Sequence, residues 1–205
     1  MRDAIHAFKY DRLRSAARPL GRRLAAAIAQ LAPEAPSELL VVPVPLHRSR
    51  YAGRGFNQSR LLAAEALAAL RSSHPDWRLT LAPAALLRQR ATESQAGLTP
   101  RQRRLNLRGA FRVSAPAIVV GRDVLLIDDI LTTGATARAA SQALLRAGAR
   151  SVWVATLARA QRAAFVRSDL NTIPAGEPLP SKQAGNPVIL HPQPASMHRE
   201  DQPSF

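Results

Sequence analysis

The stretch VLLIDDILTTGAT, residues 124–136, constrains the fold more than any other part of the chain. Its apolar run has the length and branching of a strand buried on both faces, and such strands belong to parallel sheets covered by helices on both sides. Asp128 and Asp129 close the run, and a hydroxyl-rich turn containing Gly134 leads into TTGATARAASQALLRAGA, a helical pattern whose end is marked by Gly148. SVWVATLAR then reads as another buried strand, completing a β-α-β unit with parallel pairing. Two like charges side by side at the end of a buried strand repel each other, so the pair needs a reason to be there.

Upstream, residues 12–31 carry apolar positions at helical spacing (Leu13, Ala16, Leu20, Leu24, Ala27, Ile28, Leu31), with Pro19 opening the second of two helices. ELLVVPVPLH predicts a strand that runs into a rigid, proline-bounded loop. That loop, RSRYAGRGFNQ, feeds the helix SRLLAAEALAAL, with Asn57 or Ser59 available as its cap. LTLAPAALLRQ predicts one short strand, and the basic segment RQRATESQAGLTPRQRRLNLRGAF is weakly periodic apart from a helical turn opened by Thr99 and Pro100. The expectation is one α/β domain over residues 1–168, a mostly parallel sheet with helices on both faces. Residues 169–205 are proline-rich and aperiodic and are expected to form a disordered tail.

Composition narrows the chemistry. Without cysteine there are no disulfides, thiolate metal sites or cysteine nucleophile, so any metal must sit on oxygen or imidazole. No apolar run is long enough for a membrane span, and Asp3 and His6 stand where a signal peptide needs an apolar core, so a cytoplasmic protein is expected, with no membrane insertion. The net charge of +15 points to anionic partners, but among the basic residues only Lys9 and Lys182 are lysine. Arginine and alanine enrichment of this kind is what a GC-rich coding sequence produces. The excess therefore divides between solvated background and a phosphate-facing surface, and aromatics are too sparse for a single-strand stacking platform.

In open α/β sheets, ligands collect beyond the carboxyl ends of the strands, where Asp128 and Asp129 lie. Thr132, Thr133, Gly134, Ala135 and Thr136 form the turn and the helix start. Their amides and hydroxyls can converge on an anion, and Gly134 allows close approach. Carboxylates accept hydrogen bonds from vicinal hydroxyls while the turn takes a phosphate, so a ribose 5-phosphate fits both parts. A capped helix start with no ligand fits the same residues. A Walker B strand does not, because the chain contains no G-x-x-x-x-G-K-[ST], and no G-x-G-x-x-G supports a dinucleotide fold.

The thirteen residues resemble the phosphoribosyl pyrophosphate signature of type I phosphoribosyltransferases. Together with HAFKY at 6–10, VPVPLHRSRYAGRGFNQ at 42–58 and the basic segment at 88–111, the chain resembles the ComF family of competence proteins, also described as amidophosphoribosyltransferase-like. The resemblance implies that Asp128 and Asp129 hold the ribose hydroxyls and that residues 132–136 hold the 5-phosphate. It implies a pyrophosphate loop at Pro45, Leu46, His47 and Arg48, with Arg50 and Arg54 nearby. It also implies a flexible loop carrying Arg90, Thr92, Gln95, Arg104 and Asn106, in which Arg90 and Arg104 contact the loop and the leaving group.

Magnesium would be held mainly by ligand oxygens, with no direct protein ligand assigned. The implied activity is a magnesium-dependent phosphoribosyltransferase acting on phosphoribosyl pyrophosphate or a related nucleotide. The alternative is a non-catalytic competence protein that binds single-stranded DNA or a DNA-uptake protein. Family members usually carry a four-cysteine zinc ribbon ahead of HAFKY. Its absence here is expected to reflect either a start assigned late or loss of the ribbon, and a complete glutamine amidotransferase with its glutaminase half is not expected.

Overall fold

The computed structural model describes residues 16–47, 55–90, 99, 102, 107 and 109–159, and the backbone of 188–190. Helix α1, Ala17–Ala29, opens the described chain, and Pro19 sits in its first turn, where the missing N–H would have had no intrahelical partner. Strand β1, Glu38–Pro43, follows, then helix α2, Gln58–Ser73, and strand β2, Arg78–Leu81. Strands β3, Leu86–Arg88, and β4, Phe111–Val113, pair antiparallel as a separate ribbon. Strand β5, Asp123–Leu131, helix α3, Ala135–Arg146, and strand β6, Ser151–Arg159, form the expected β-α-β unit. Strand β7, Val188–Leu190, completes the main sheet.

The sheet order is β2-β1-β5-β6-β7, parallel throughout except where β7 runs antiparallel to β6. The core lies on both faces. Leu39, Val41, Leu125, Ile127, Trp153 and Ala155 pack under α1 and α2, and Leu40, Val42, Val124, Leu126, Val152 and Val154 pack under α3 and the ribbon. This is the mostly parallel α/β sheet that the apolar strands predicted, because a strand buried on both faces cannot afford alternate polar residues.

Three local readings change. LTLAPAALLRQ is two strands in different sheets, because Pro83 has no N–H to continue a ladder; the chain turns there, with the Ala85 N–H donating to the Ala82 carbonyl. Strand β5 runs through Asp128 and Asp129 to Leu131, so the carboxylates sit within the last part of the strand. Within the expected tail, Val188–Leu190 forms a strand; the rest of that segment lies outside the described residues.

Helix ends follow local chemistry. Gly148, at φ 92°, terminates α3, with the Ala149 N–H donating to the Leu144 carbonyl and the Gly148 N–H to the Leu145 carbonyl, the two bonds of a Schellman motif. Among the described residues no helix is long and apolar enough to cross a membrane.

Packing of α1 on α2 depends on Gly21. A Cβ there would overlap Glu65 Cβ and come within 3.2 Å of the Ala66 amide nitrogen, so the two helices approach at a distance only glycine allows. Gly21→Val is expected to destabilise the protein by about 1–3 kcal/mol through overpacking, measured as a lower urea midpoint at unchanged slope.

Candidate functional site

The chain leaves β1 towards β2 through α2 on one face of the sheet, and leaves β5 towards β6 through α3 on the other. Strands β1 and β5 are neighbours, so the two connections diverge and open a crevice beyond their carboxyl ends. The loop after β1 and the segment from Asp128 to the start of α3 form its walls. Pro45, Leu46 and His47 are half-exposed there, and Arg48 lies outside the described residues. The loop is anchored at both sides of Val44: its N–H donates to the Ile127 carbonyl at 2.8 Å, and its carbonyl accepts from Asn57 Nδ2 at 3.0 Å.

Asn57 also caps α2, its Oδ1 accepting from the Arg60 N–H at 3.3 Å, so one side chain closes the helix and ties down the loop. Of the two expected caps, Asn57 is therefore the one used. Ser59 turns elsewhere, its hydroxyl donating to Asp128 Oδ1 at 3.2 Å. The Asp129 N–H donates to the same oxygen at 2.9 Å.

Both aspartates are half-buried. Strict alternation would put residue 128 on the α3 side with Leu126, but the phase shifts at the pair. Ile127 and Ile130 both face the α1 and α2 cluster, while Leu126 and Leu131 face the α3 cluster. The offset to β6 is the same on both sides of the shift, Asp128 opposite Thr156 and Ile130 opposite Ala158, so no residue is inserted, but the pairing lapses at Asp129. The Asp128 carboxylate lies within reach of the N-terminus of α2.

The turn that follows leads directly into α3. Gly134 caps α3 at φ 71°, a left-handed conformation that costs other residues strain, and no side chain among the described residues caps the helix. The amides at the start of α3 are thus left to a ligand or to water. Thr132 is exposed, and Thr136 is half-exposed in the first turn of the helix beside buried Ala135. Thr133 Oγ1 is buried with no hydrogen-bond partner among the described residues, an arrangement that costs stability unless a bound oxygen fills it.

Arg90 is exposed just past the ribbon, where Arg88 stacks over the Phe111 ring at 5.5 Å from its centre and the Gln89 N–H donates to the Ala110 carbonyl. Thr92, Gln95, Arg104 and Asn106 lie outside the described residues. Between them, Thr99 and Gln102 exchange bonds, the Thr99 N–H to Gln102 Oε1 at 2.8 Å and the Gln102 N–H to Thr99 Oγ1 at 3.3 Å. This reciprocal box matches the helical turn expected there.

No group of three or more His, Cys, Asp or Glu among the described residues could hold a metal ion. Two half-buried carboxylates do suit magnesium, which takes one or two protein oxygens and fills its shell with phosphate oxygen and water.

A family model for the phosphoribosyl transferase domain matches residues 57–173. The DNA utilization protein YhgH of Escherichia coli (strain K12) is 38% identical over 157 residues, covering 76% of this chain and 65% of that protein. Competence protein F of Haemophilus influenzae is 33% identical over 121 residues, 58% of this chain and 50% of that one. The chain thus spans less than two thirds of the length of these curated relatives.

Among solved structures, the glutamine phosphoribosylpyrophosphate amidotransferase from B. subtilis, complexed with ADP and GMP, aligns at 22% identity and a TM-score of 0.43, covering 69% of this chain and 26% of that one. A hypoxanthine phosphoribosyltransferase from Staphylococcus aureus aligns at 17% identity and a TM-score of 0.42, covering 68% of this chain and 62% of its own.

The buried hydroxyl makes Thr133 a discriminating position. Thr133→Val keeps the shape and removes the unpartnered oxygen, so unfolding free energy is expected to rise by about 1 kcal/mol. Affinity for inorganic phosphate should fall in the same variant, read by calorimetric titration.

Proposed function

The chain belongs to the phosphoribosyl transferase domain family, as one of its ComF members, and from that premise we propose that it binds phosphoribosyl pyrophosphate with magnesium and transfers the phosphoribosyl group to a nitrogenous acceptor. The observation that supports this reading is the pairing, in one crevice, of two half-buried carboxylates with a helix N-terminus that no side chain among the described residues caps, and a buried Thr133 hydroxyl with no hydrogen-bond partner among them. Asp128 and Asp129 accept hydrogen bonds from the ribose 2- and 3-hydroxyls. Residues 132–136 hold the 5-phosphate, and this remote anchor supplies binding energy that positions the sugar. The loop of Pro45, Leu46, His47 and Arg48 takes the pyrophosphate, and the segment carrying Arg90, Thr92, Gln95, Arg104 and Asn106 covers the ligand and excludes water.

In the reaction, the bond from the anomeric carbon to pyrophosphate breaks as the acceptor nitrogen forms its bond to that carbon, and the nitrogen's proton passes to the departing pyrophosphate or to water. Charge develops on the sugar ring and on the departing pyrophosphate. Preorganised groups that meet those charges, Arg90 and Arg104 among them, lower the barrier without a dedicated general base. Magnesium supplies neutralisation of pyrophosphate charge when bound.

A second reading draws on the relatives' names, DNA utilization protein and competence protein, and on the net charge of +15. In it the same site senses phosphoribosyl pyrophosphate or a nucleotide without turnover, while a basic face binds single-stranded DNA or a DNA-uptake protein. Both readings take the protein to act in the cytoplasm.

Calorimetric titration with phosphoribosyl pyrophosphate and magnesium tests the shared site. The double variant Asp128→Asn, Asp129→Asn is expected to weaken binding by about 100-fold or more, since each carboxylate bond to a hydroxyl is charge-assisted. Unchanged affinity would mean the carboxylates are wrongly assigned. Pyrophosphate release on adding an acceptor favours the transferase. DNA binding that falls steeply with salt, with no pyrophosphate released by any acceptor, favours the second reading.

A further inference from the structure

We infer that Ser59, at the start of α2, is a positioning residue for the sugar half of the site: it sets the orientation of the Asp128 carboxylate before a ribose arrives. The inference rests on the phosphoribosyl pyrophosphate reading and adds a residue, and a mode of ligand discrimination, that the reading does not contain. Three observations carry it.

Ser59 is 5% exposed, so its hydroxyl has little water to bond, and its described bond goes to Asp128 Oδ1 at 3.2 Å, across 69 positions of sequence. The Asp129 N–H reaches the same oxygen at 2.9 Å. Two donors on one oxygen restrict rotation of the carboxylate about its Cβ–Cγ bond, which spares a bound ligand the ordering cost. The third observation is that the phase of β5 shifts at this pair, Ile127 and Ile130 both packing on the α1 and α2 cluster, while the pairing with β6 lapses at Asp129, so the ladder alone does not fix the carboxylate there.

The same helix end fixes the other wall. Asn57 bonds the Val44 carbonyl at 3.0 Å while capping α2, so the loop after β1 and the Asp128 carboxylate are both referred to one rigid turn. Among the described residues, the Ser59 side chain bonds the carboxylate side of this arrangement. Its loss is therefore expected to affect ligands that carry a ribose and to spare those that bind the loop alone.

The experiment titrates wild type, Ser59→Ala, Asp128→Asn and the double variant with three probes in magnesium: phosphoribosyl pyrophosphate, ribose 5-phosphate and inorganic pyrophosphate. Ser59→Ala is expected to weaken both ribose-bearing probes about five- to tenfold, the scale of one hydrogen bond, and to leave pyrophosphate within about twofold. In the Asp128→Asn background the serine substitution should have no further effect, the signature of a residue acting through its partner.

Ser59→Cys, close in volume with a weaker donor, should fall between wild type and Ser59→Ala, and it carries the test if the alanine variant does not fold. If wild type fails to bind phosphoribosyl pyrophosphate at all, the reading of the site and this inference fall together. If wild type binds and Asp128→Asn weakens it, but Ser59→Ala matches wild type or weakens pyrophosphate equally, the positioning role alone is overturned.

Discussion

The parallel pairing of β1 with β5 is the constraint on which the rest of the molecule depends. These strands are separated by α2, β2 and the whole β3-β4 ribbon in the chain, yet they lie side by side from Leu40 opposite Val124 to Pro43 opposite Ile127. The Val44 N–H extends the ladder by one bond to the Ile127 carbonyl. Because the chain departs from these two strands in opposite directions on opposite faces, a crevice at their carboxyl ends is a topological necessity. Burial of both faces of both strands supplies the driving force, and the site inherits its rigidity from that core.

The two edges of the sheet use charge differently. At the amino edge, Asp123 is buried and held by Arg150 at 3.1 Å and by the Ser151 hydroxyl at 2.7 Å, and Glu38 meets Arg122 at 2.6 Å. Those contacts join neighbouring strands, and the largely exposed arginine at position 150 limits what its pair contributes. At the carboxyl edge, the described donors to Asp128 are a neutral hydroxyl and a neutral amide. Both bonds fall on one carboxylate oxygen and so fix the orientation of the group.

Much of the fold was legible because its strands are apolar on nearly every position and its helices keep their period. The unit β5, α3, β6 and the glycines at its turns follow from local pattern alone. The turn into α3 was legible for the same reason, since Gly134 and the threonines lie within five residues. LTLAPAALLRQ was misread as a single strand because periodicity does not reveal that a proline sends two halves into different sheets. Strand β7 was missed because three residues in a proline-rich segment carry too little pattern, and their pairing is supplied by the exposed edge of β6. The sequence offers Asn57 or Ser59 as the cap, the most local use a polar residue near a helix start can have, and Asn57 takes it. The partner of Ser59 lies on strand β5, and the sequence signal for it is a third consecutive polar residue after Asn57 and Gln58 where one cap suffices.

What the sequence determined by itself is the chemistry present: a buried strand carrying adjacent carboxylates, a glycine turn with hydroxyls, and a proline-bounded loop rich in basic neighbours. These are nearest-neighbour properties, set by side-chain size, backbone freedom and charge. Only the tertiary structure decided how they meet. The tie from Asn57 to the loop and the bond from Ser59 to Asp128 both join separate elements of the chain. Such contacts arise from how the β1 and β5 ladder twists and where α2 packs on it, and no local periodicity encodes them.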